Sequence, residues 1–271
     1  MKCFFQNDKG FSLIEVMIAL IITGVVTTSI MKLYITQHEN YMTQDDITTI
    51  QQNARASIDE LSRQIRMAGY DLPLGLQAIY ASNTDPDTIT ILYHSAGCET
   101  SLTAPMANTL SPLVCNSDVS CFFDNQHVYI YDADSAEGEW FQLSTVDEGT
   151  FTLNHSTASL SRAYATNSIV IALTKVKFYV DNTTDVDHPK LMIQVQGQNP
   201  VIYADDIYDL QIEYGMKNGM IESVPSIPEN VREVNITLAS RSFKPVLDDS
   251  GVETYRERSF STSVYLRNIG I

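Results

Sequence analysis

Positive charge is scarce in this chain. Its 271 residues hold 17 lysines and arginines against 33 aspartates and glutamates, for a formal charge of −16. So acidic a surface repels phosphate backbones, which excludes nucleic-acid binding through a broad basic face. Histidine is rare as well, and His38, His94, His127, His155 and His188 lack the spacing of metal ligands. Neither a nucleophile elbow nor a glycine loop for phosphate occurs, so no catalytic role is expected. Proline is absent before Pro73, which leaves the first quarter of the chain open to an unbroken helix. Cysteines number four: Cys3 stands apart, and Cys98, Cys115 and Cys121 form a group. With 44% hydrophobic residues the chain has enough apolar material for a real core, which excludes general disorder.

One long apolar run is present. From Phe11 to Met31 the only charged residue is Glu15. Twenty-one helical residues extend roughly 32 Å, enough to cross the hydrocarbon core of a bilayer. A carboxylate inside such a span costs about 2.5 kcal/mol or more, so Glu15 needs a partner or a task. An ordinary anchor that tolerates an acid near one interface is the simplest reading of Glu15 alone. Gly10 lies before the apolar run, whereas a secretory signal is cut after its apolar core. Lys2 and Lys9 stand against Asp8 in the leader, and that balance keeps it cytoplasmic with the remainder exported.

The order Lys9, Gly10, Phe11, Ser12, Leu13, Ile14, Glu15 resembles the class III signal of type IV prepilins. The resemblance implies cleavage between Gly10 and Phe11 by a prepilin peptidase and methylation of the new amine on Phe11. It also implies that Glu15, then fifth in the mature chain, meets the terminal amine of a neighbouring subunit. Two charges that are each costly in lipid would offset one another there.

Beyond the apolar run, Ile47, Ile50, Ala54, Ile58, Leu61, Ile65 and Ala68 fall on one helical face. Asp45, Gln52, Arg55, Asp59, Arg63 and Arg66 fall on the other. Gly69 suits a left-handed cap, and Pro73 blocks continuation. Gly24, followed by Thr27, Thr28 and Ser29, is the expected place for a bend. From residue 74 the period becomes two. Val176, Phe178 and Val180; Leu191, Ile193 and Val195; Leu210, Ile212 and Tyr214; Val234, Ile236 and Leu238; and Phe260, Thr262, Val264 and Leu266 each read as a half-buried strand. Further strands are expected near 88–93, 127–131 and 140–146. The expected fold is α+β, a long N-terminal helix packed on a largely antiparallel sheet domain. Its expected divisions are a cleaved leader at 1–10, a transmembrane and assembly helix at 11–33, an amphipathic continuation at 34–69 and a periplasmic β-rich domain at 70–271.

Three stretches narrow the resemblance: Arg66-Met67-Ala68-Gly69-Tyr70, the run from Tyr208 to Gly215, and the run from Phe260 to Asn268. They are similar to the PilW family of minor pilins. That likeness implies a subunit of an initiation or tip complex that primes pilus assembly. The implied partners are other minor pilins, the major pilin, prepilin peptidase, membrane lipid and a tip adhesin. The implied location is the bacterial inner membrane, with the leader cytoplasmic, and then the pilus on the cell surface. A J-type pseudopilin of type II secretion shares this layout and is the alternative, with a membrane-tethered binding module behind it.

Some features stand outside the resemblance. The segment from Ala96 to Phe123 matches no familiar pattern. In an oxidising compartment two of Cys98, Cys115 and Cys121 form a disulfide and leave one thiol, and Cys98 with Cys121 closes the longest loop. Asp132, Asp134, Glu137 and Glu139 are close in sequence, as are Asp181, Asp185 and Asp187. These are the candidate ligands for Ca2+, but neither group fits an EF-hand, and solvated acidic loops with no cofactor are the expected reading. Tyr129, Tyr131, Trp140 and Phe141 offer either a ligand surface or strand packing, and packing is favoured. The leader reading predicts that the terminal peptide of the processed protein begins at Phe11 and carries one methyl group. Mass spectrometry checks it, and an intact Met1 leader in the assembled protein contradicts it.

Overall fold

The computed structural model describes residues 10, 12–73, 75–94, 97–116, 118–135, 137–155, 160–247 and 251–269. Lys2, Cys3, Lys9 and Phe11 lie outside the described residues. The chain forms two compact units, Met1–Thr49 and Ile50–Ile271, and the division falls within one helix, α1, which spans Leu13–Met67.

In the first unit α1 is apolar and exposed. Among its residues Leu13 is 82% and Leu20 67% accessible. It is α-helical through Gly24, where a bend was expected. The neighbouring hydroxyls bond within the helix. Thr27 donates to the carbonyl of Thr23 at 2.7 Å, Thr28 to that of Gly24 at 2.8 Å and Ser29 to that of Val25 at 2.8 Å. Bonded to carbonyls four residues back, these hydroxyls are satisfied within the helix, an arrangement that favours slight bending rather than a break.

The second unit begins where α1 becomes amphipathic. Ala54, Leu61, Ile65 and Ala68 are fully buried, while Gln52, Arg55, Asp59, Arg63 and Arg66 are exposed. The helix ends at a glycine with a reason to be one. Gly69 has φ +79°, and a Cβ there would lie 2.6 Å from the carbonyl oxygen of Asn268. Its N–H donates to the carbonyl of Leu92 at 3.0 Å.

All strand pairs are antiparallel. One five-stranded sheet has the spatial order Ile79–Ser82, Thr88–Tyr93, Thr174–Asp181, Lys190–Val195 and Val201–Asp205. A four-stranded sheet has the order Ile221–Glu222, Ile207–Met216, Val231–Arg241 and Glu257–Tyr265. The buried face of α1 and one face of each of these sheets share a core that includes Phe178, Leu191, Tyr214, Ile236 and Val264. The period-two patterns supply these residues, because alternate side chains on a strand point to one face.

A six-stranded sheet has the order Glu99–Ser101, Ile169–Ile171, His127–Tyr131, Gly138–Asp147, Thr152–His155 and Leu113–Val114. It builds a separate core from Leu102, Leu113, Phe122, Val128, Ile130 and Leu143, among others. The segment from Ala96 to Phe123 therefore provides two strands and much of the lining of this second core. A third, smaller cluster joins Leu92 of the five-stranded sheet to Tyr129 and Ile171 of the six-stranded one. Leu61→Ala should lower stability by about 2–5 kcal/mol, since a buried leucine leaves a cavity. Arg55→Ala should stay within about 0.5 kcal/mol. Denaturant melting of the detergent-solubilised protein compares them, and equal midpoints would contradict the packing of this face.

Candidate functional site

Helix α1 starts with a pair of reciprocal bonds. The Ser12 N–H donates to Glu15 Oε2 at 3.0 Å, the Ile14 N–H donates to Ser12 Oγ at 3.3 Å, and the Val16 N–H donates to the Ser12 carbonyl at 3.2 Å. This is a capping box, in which Ser at the cap and Glu three residues on satisfy amides that the helix cannot. The sequence reading of Glu15 missed it, although Ser12-Leu13-Ile14-Glu15 carries the pattern. The box folds the carboxylate back over the first turn, toward the segment that precedes Ser12. There the positive end of the helix dipole also favours an anion.

Downstream of the box, no other charged side chain interrupts the run to Met31. The helix is long and apolar enough to cross a membrane. Thr23 donates to the carbonyl of Ala19 at 2.7 Å, so this hydroxyl too is satisfied within the helix, as lipid requires. Gly10 is exposed.

The second group of sequence candidates is the cysteines. Cys98 and Cys121 form a disulfide with Cα atoms 5.8 Å apart, and Cys115 is a buried thiol. Both Cys98 and Cys115 belong to the core of the six-stranded sheet. Burial pushes the Cys115 thiol up to about 11. The nucleophilic thiolate is therefore scarce at neutral pH.

Proximity in sequence does not bring the acidic residues onto a common ion. Asp132 accepts from the Asp134 N–H at 2.9 Å, whereas Glu137 pairs with Arg162 at 2.6 Å. Glu139 accepts from the Ser161 hydroxyl at 2.7 Å and from the Tyr164 hydroxyl at 3.1 Å. Asp181 accepts from the hydroxyls of Thr184 at 2.7 Å and Thr183 at 2.8 Å, and these bonds hold its carboxyl well below the usual range. Asp185 accepts from the N–H groups of Asp187 and His188, both at 3.2 Å. Among the described residues no group of three or more His, Cys, Asp or Glu side chains is arranged to hold a metal ion. The aromatic set also divides. Tyr129 and Trp140 face each other across paired strands with ring centroids 5.4 Å apart, while Phe141 lines the core on the opposite face.

Residues 5–31 match the prokaryotic N-terminal methylation motif. No curated protein matches the chain. The match supports a type IV pilin-like or pseudopilin protein, structural in kind, that meets prepilin peptidase and other pilin subunits. With its apolar helix, the motif fits anchorage in the inner membrane. It ends at residue 31, before the three PilW-like stretches.

The cysteine geometry makes a labelling prediction. Of Cys98, Cys115 and Cys121, none should react with an alkylating reagent in the native protein at neutral pH. Denaturation should release Cys115 alone, and reduction should release all three. Cys98→Ser should cost roughly 3 kcal/mol, the loop-closure entropy of the bridge. Rapid native labelling of Cys115 would contradict the burial.

Proposed function

We propose that this chain is a minor pilin of a type IV pilus, part of an initiation or tip complex that primes pilus assembly. The observation that carries the reading is the aim of Glu15. Its carboxylate folds back toward the segment in which cleavage before Phe11 would expose an amine, on a helix whose run to Met31 has no other charge. The proposed divisions are a cytoplasmic leader at 1–10, a membrane and assembly helix at 11–33, its amphipathic continuation at 34–69 and a periplasmic domain at 70–271. Membrane storage and filament growth then use one surface, as helices of neighbouring subunits replace lipid around α1.

Energetics assign Glu15 to assembly. Near the cytoplasmic interface, water and the capping box relieve the charge of the stored subunit. Enclosed among other helices, an unpaired carboxylate costs several kcal/mol, and a partner's terminal amine recovers much of that. The proposed partners are other minor pilins, the major pilin and a tip adhesin, and the proposed final location is the pilus surface.

The PilW-like stretches support this reading through what they do in the fold. Asn268 Nδ2 donates to the carbonyl of Arg66 at 3.2 Å, so the first and last stretches meet at the end of α1. The middle stretch is a strand of the four-stranded sheet, which the last stretch also enters. A J-type pseudopilin at the tip of a secretion pseudopilus is the second reading, and the shared leader and helix favour it equally. The identity of the subunits that co-purify separates the two.

Glu15 variants test the assembly role. Glu15→Leu removes both the charge and the capping box, whereas Glu15→Gln keeps a side chain that can complete the box. If charge drives docking, both variants remain abundant and processed in the membrane yet lose most capture of partner pilins. If the cap matters instead, Glu15→Gln behaves as wild type and Glu15→Leu alone fails. Quantitative co-purification after crosslinking measures this.

A further inference from the structure

We infer that the outer face of the five-stranded sheet carries a binding cleft for a carboxylate-bearing sugar. Alternation in the strand Thr174–Asp181 sends Val176, Phe178 and Val180 into the core and so turns Lys175 and Lys177 outward. Strand register sets Thr90 on one side of Lys177 and Gln194 on the other. These residues, with Gln196 and Gly197, line a cleft of about 400 Å³. Beyond Lys175 and Gln196 it continues into a second cleft of about 270 Å³ that reaches His127 of the six-stranded sheet and Asn125 in the turn before it.

The lining is unusual for this chain. The sequence has 33 acidic residues, and among the described residues none lines either cleft. Neither lysine forms an ion pair with a described carboxylate. Instead each lies over an aromatic ring. Lys175 Nζ is 5.5 Å from the Tyr80 ring centroid and 5.9 Å from that of Trp140, and Lys177 Nζ is 4.8 Å from that of Tyr179. Two buried polar atoms at the second cleft, Gln196 Oε1 and His127 Nδ1, have no partner among the described residues. Gly197 has φ +79°, and a Cβ there would come 3.2 Å from that His127 nitrogen, so glycine lets the backbone pack close to His127.

The chemistry of the lining selects the ligand class. Two ammonium groups with no described carboxylate as partner recognise an anion. A sugar hydroxyl both donates and accepts, so it can bond either end of a side-chain amide, whereas a bare carboxylate or sulfate only accepts. The amides of Gln194, Gln196 and Asn125 pair donors with acceptors, as a hydroxyl-dense ligand requires. Tyr80 and Trp140, outside the lining, hold Lys175 in place by cation–π contact. An acidic peptide fits less well. The strand Thr174–Asp181 is paired on both sides, so no backbone edge is open there for strand addition.

The test uses the processed full chain in detergent, titrated by calorimetry with a glucuronate oligosaccharide, a glucose oligosaccharide of equal length and a glutamate hexapeptide. Saturable binding of the glucuronate ligand is expected, with little or none of the other two. Lys175→Gln and Lys177→Gln should each weaken it by about tenfold, the loss of one charge-assisted contact. Lys190→Gln, outside the lining, should leave it unchanged, and circular dichroism should report the same fold in all variants. Absence of saturable glucuronate binding, equal affinity for glucose, tighter binding of the peptide, or wild-type affinity in both lysine variants would each overturn the inference.

Discussion

The physical constraint on which the rest of this structure depends is that one helix serves two surroundings. From Leu13 to Ile35 the side chains of α1 are exposed and almost all apolar or hydroxyl-bearing. From Ile50 onward one face is buried, and Ala54, Leu61, Ile65 and Ala68 have no accessible surface at all. Full burial of a leucine or isoleucine contributes about 1.5–3 kcal/mol. That face anchors the core shared by two sheets. The first part is exposed among the described residues, and its hydroxyls and Glu15 are bonded locally, in back-bonds and a capping box. By length and composition it can cross a membrane.

Local periodicity made most of this architecture legible. The 3.6-residue spacing of Ile50 to Ala68 located the buried face, and period two located the strands that hold Phe178, Tyr214 and Ile236. Gly69 was recognisable as a cap, although the carbonyl of Asn268 that forbids a side chain there lies 199 positions further along the sequence. What stayed hidden depends on distant pairing. The segment from Ala96 to Phe123 has no periodic run, because its buried residues pack on strands as far away as Ile169–Ile171. The acids that neighbour one another in the sequence read as solvated loops, and their partners were hidden: Glu137 and Glu139 bond Arg162 and Ser161, more than twenty residues away.

The candidate site was legible in its residues and not in its geometry. The order Gly10, Phe11, Glu15 is a sequence pattern, and residues 5–31 match the methylation motif that includes it. The aim of the Glu15 carboxylate comes from Ser12, a side chain passed over because its role is local and small. The same carboxylate caps its own helix and, in the proposed assembly role, meets a neighbour's amine. The acid-free cleft was invisible for a different reason: Thr90, Lys177, Gln194 and His127 come from separate strands and meet only through register.

Glu15 is the centre of the assembly proposal, and zero-length coupling tests it most directly. A carbodiimide joins a carboxylate to an amine only when the two are in contact. Treatment of the partner-bound protein in membranes, followed by peptide mass spectrometry, should yield an amide joining Glu15 to the amino-terminal amine of another pilin subunit. Efficient coupling elsewhere on the same complex, with Glu15 left unmodified or joined only within its own chain, would contradict a docking charge.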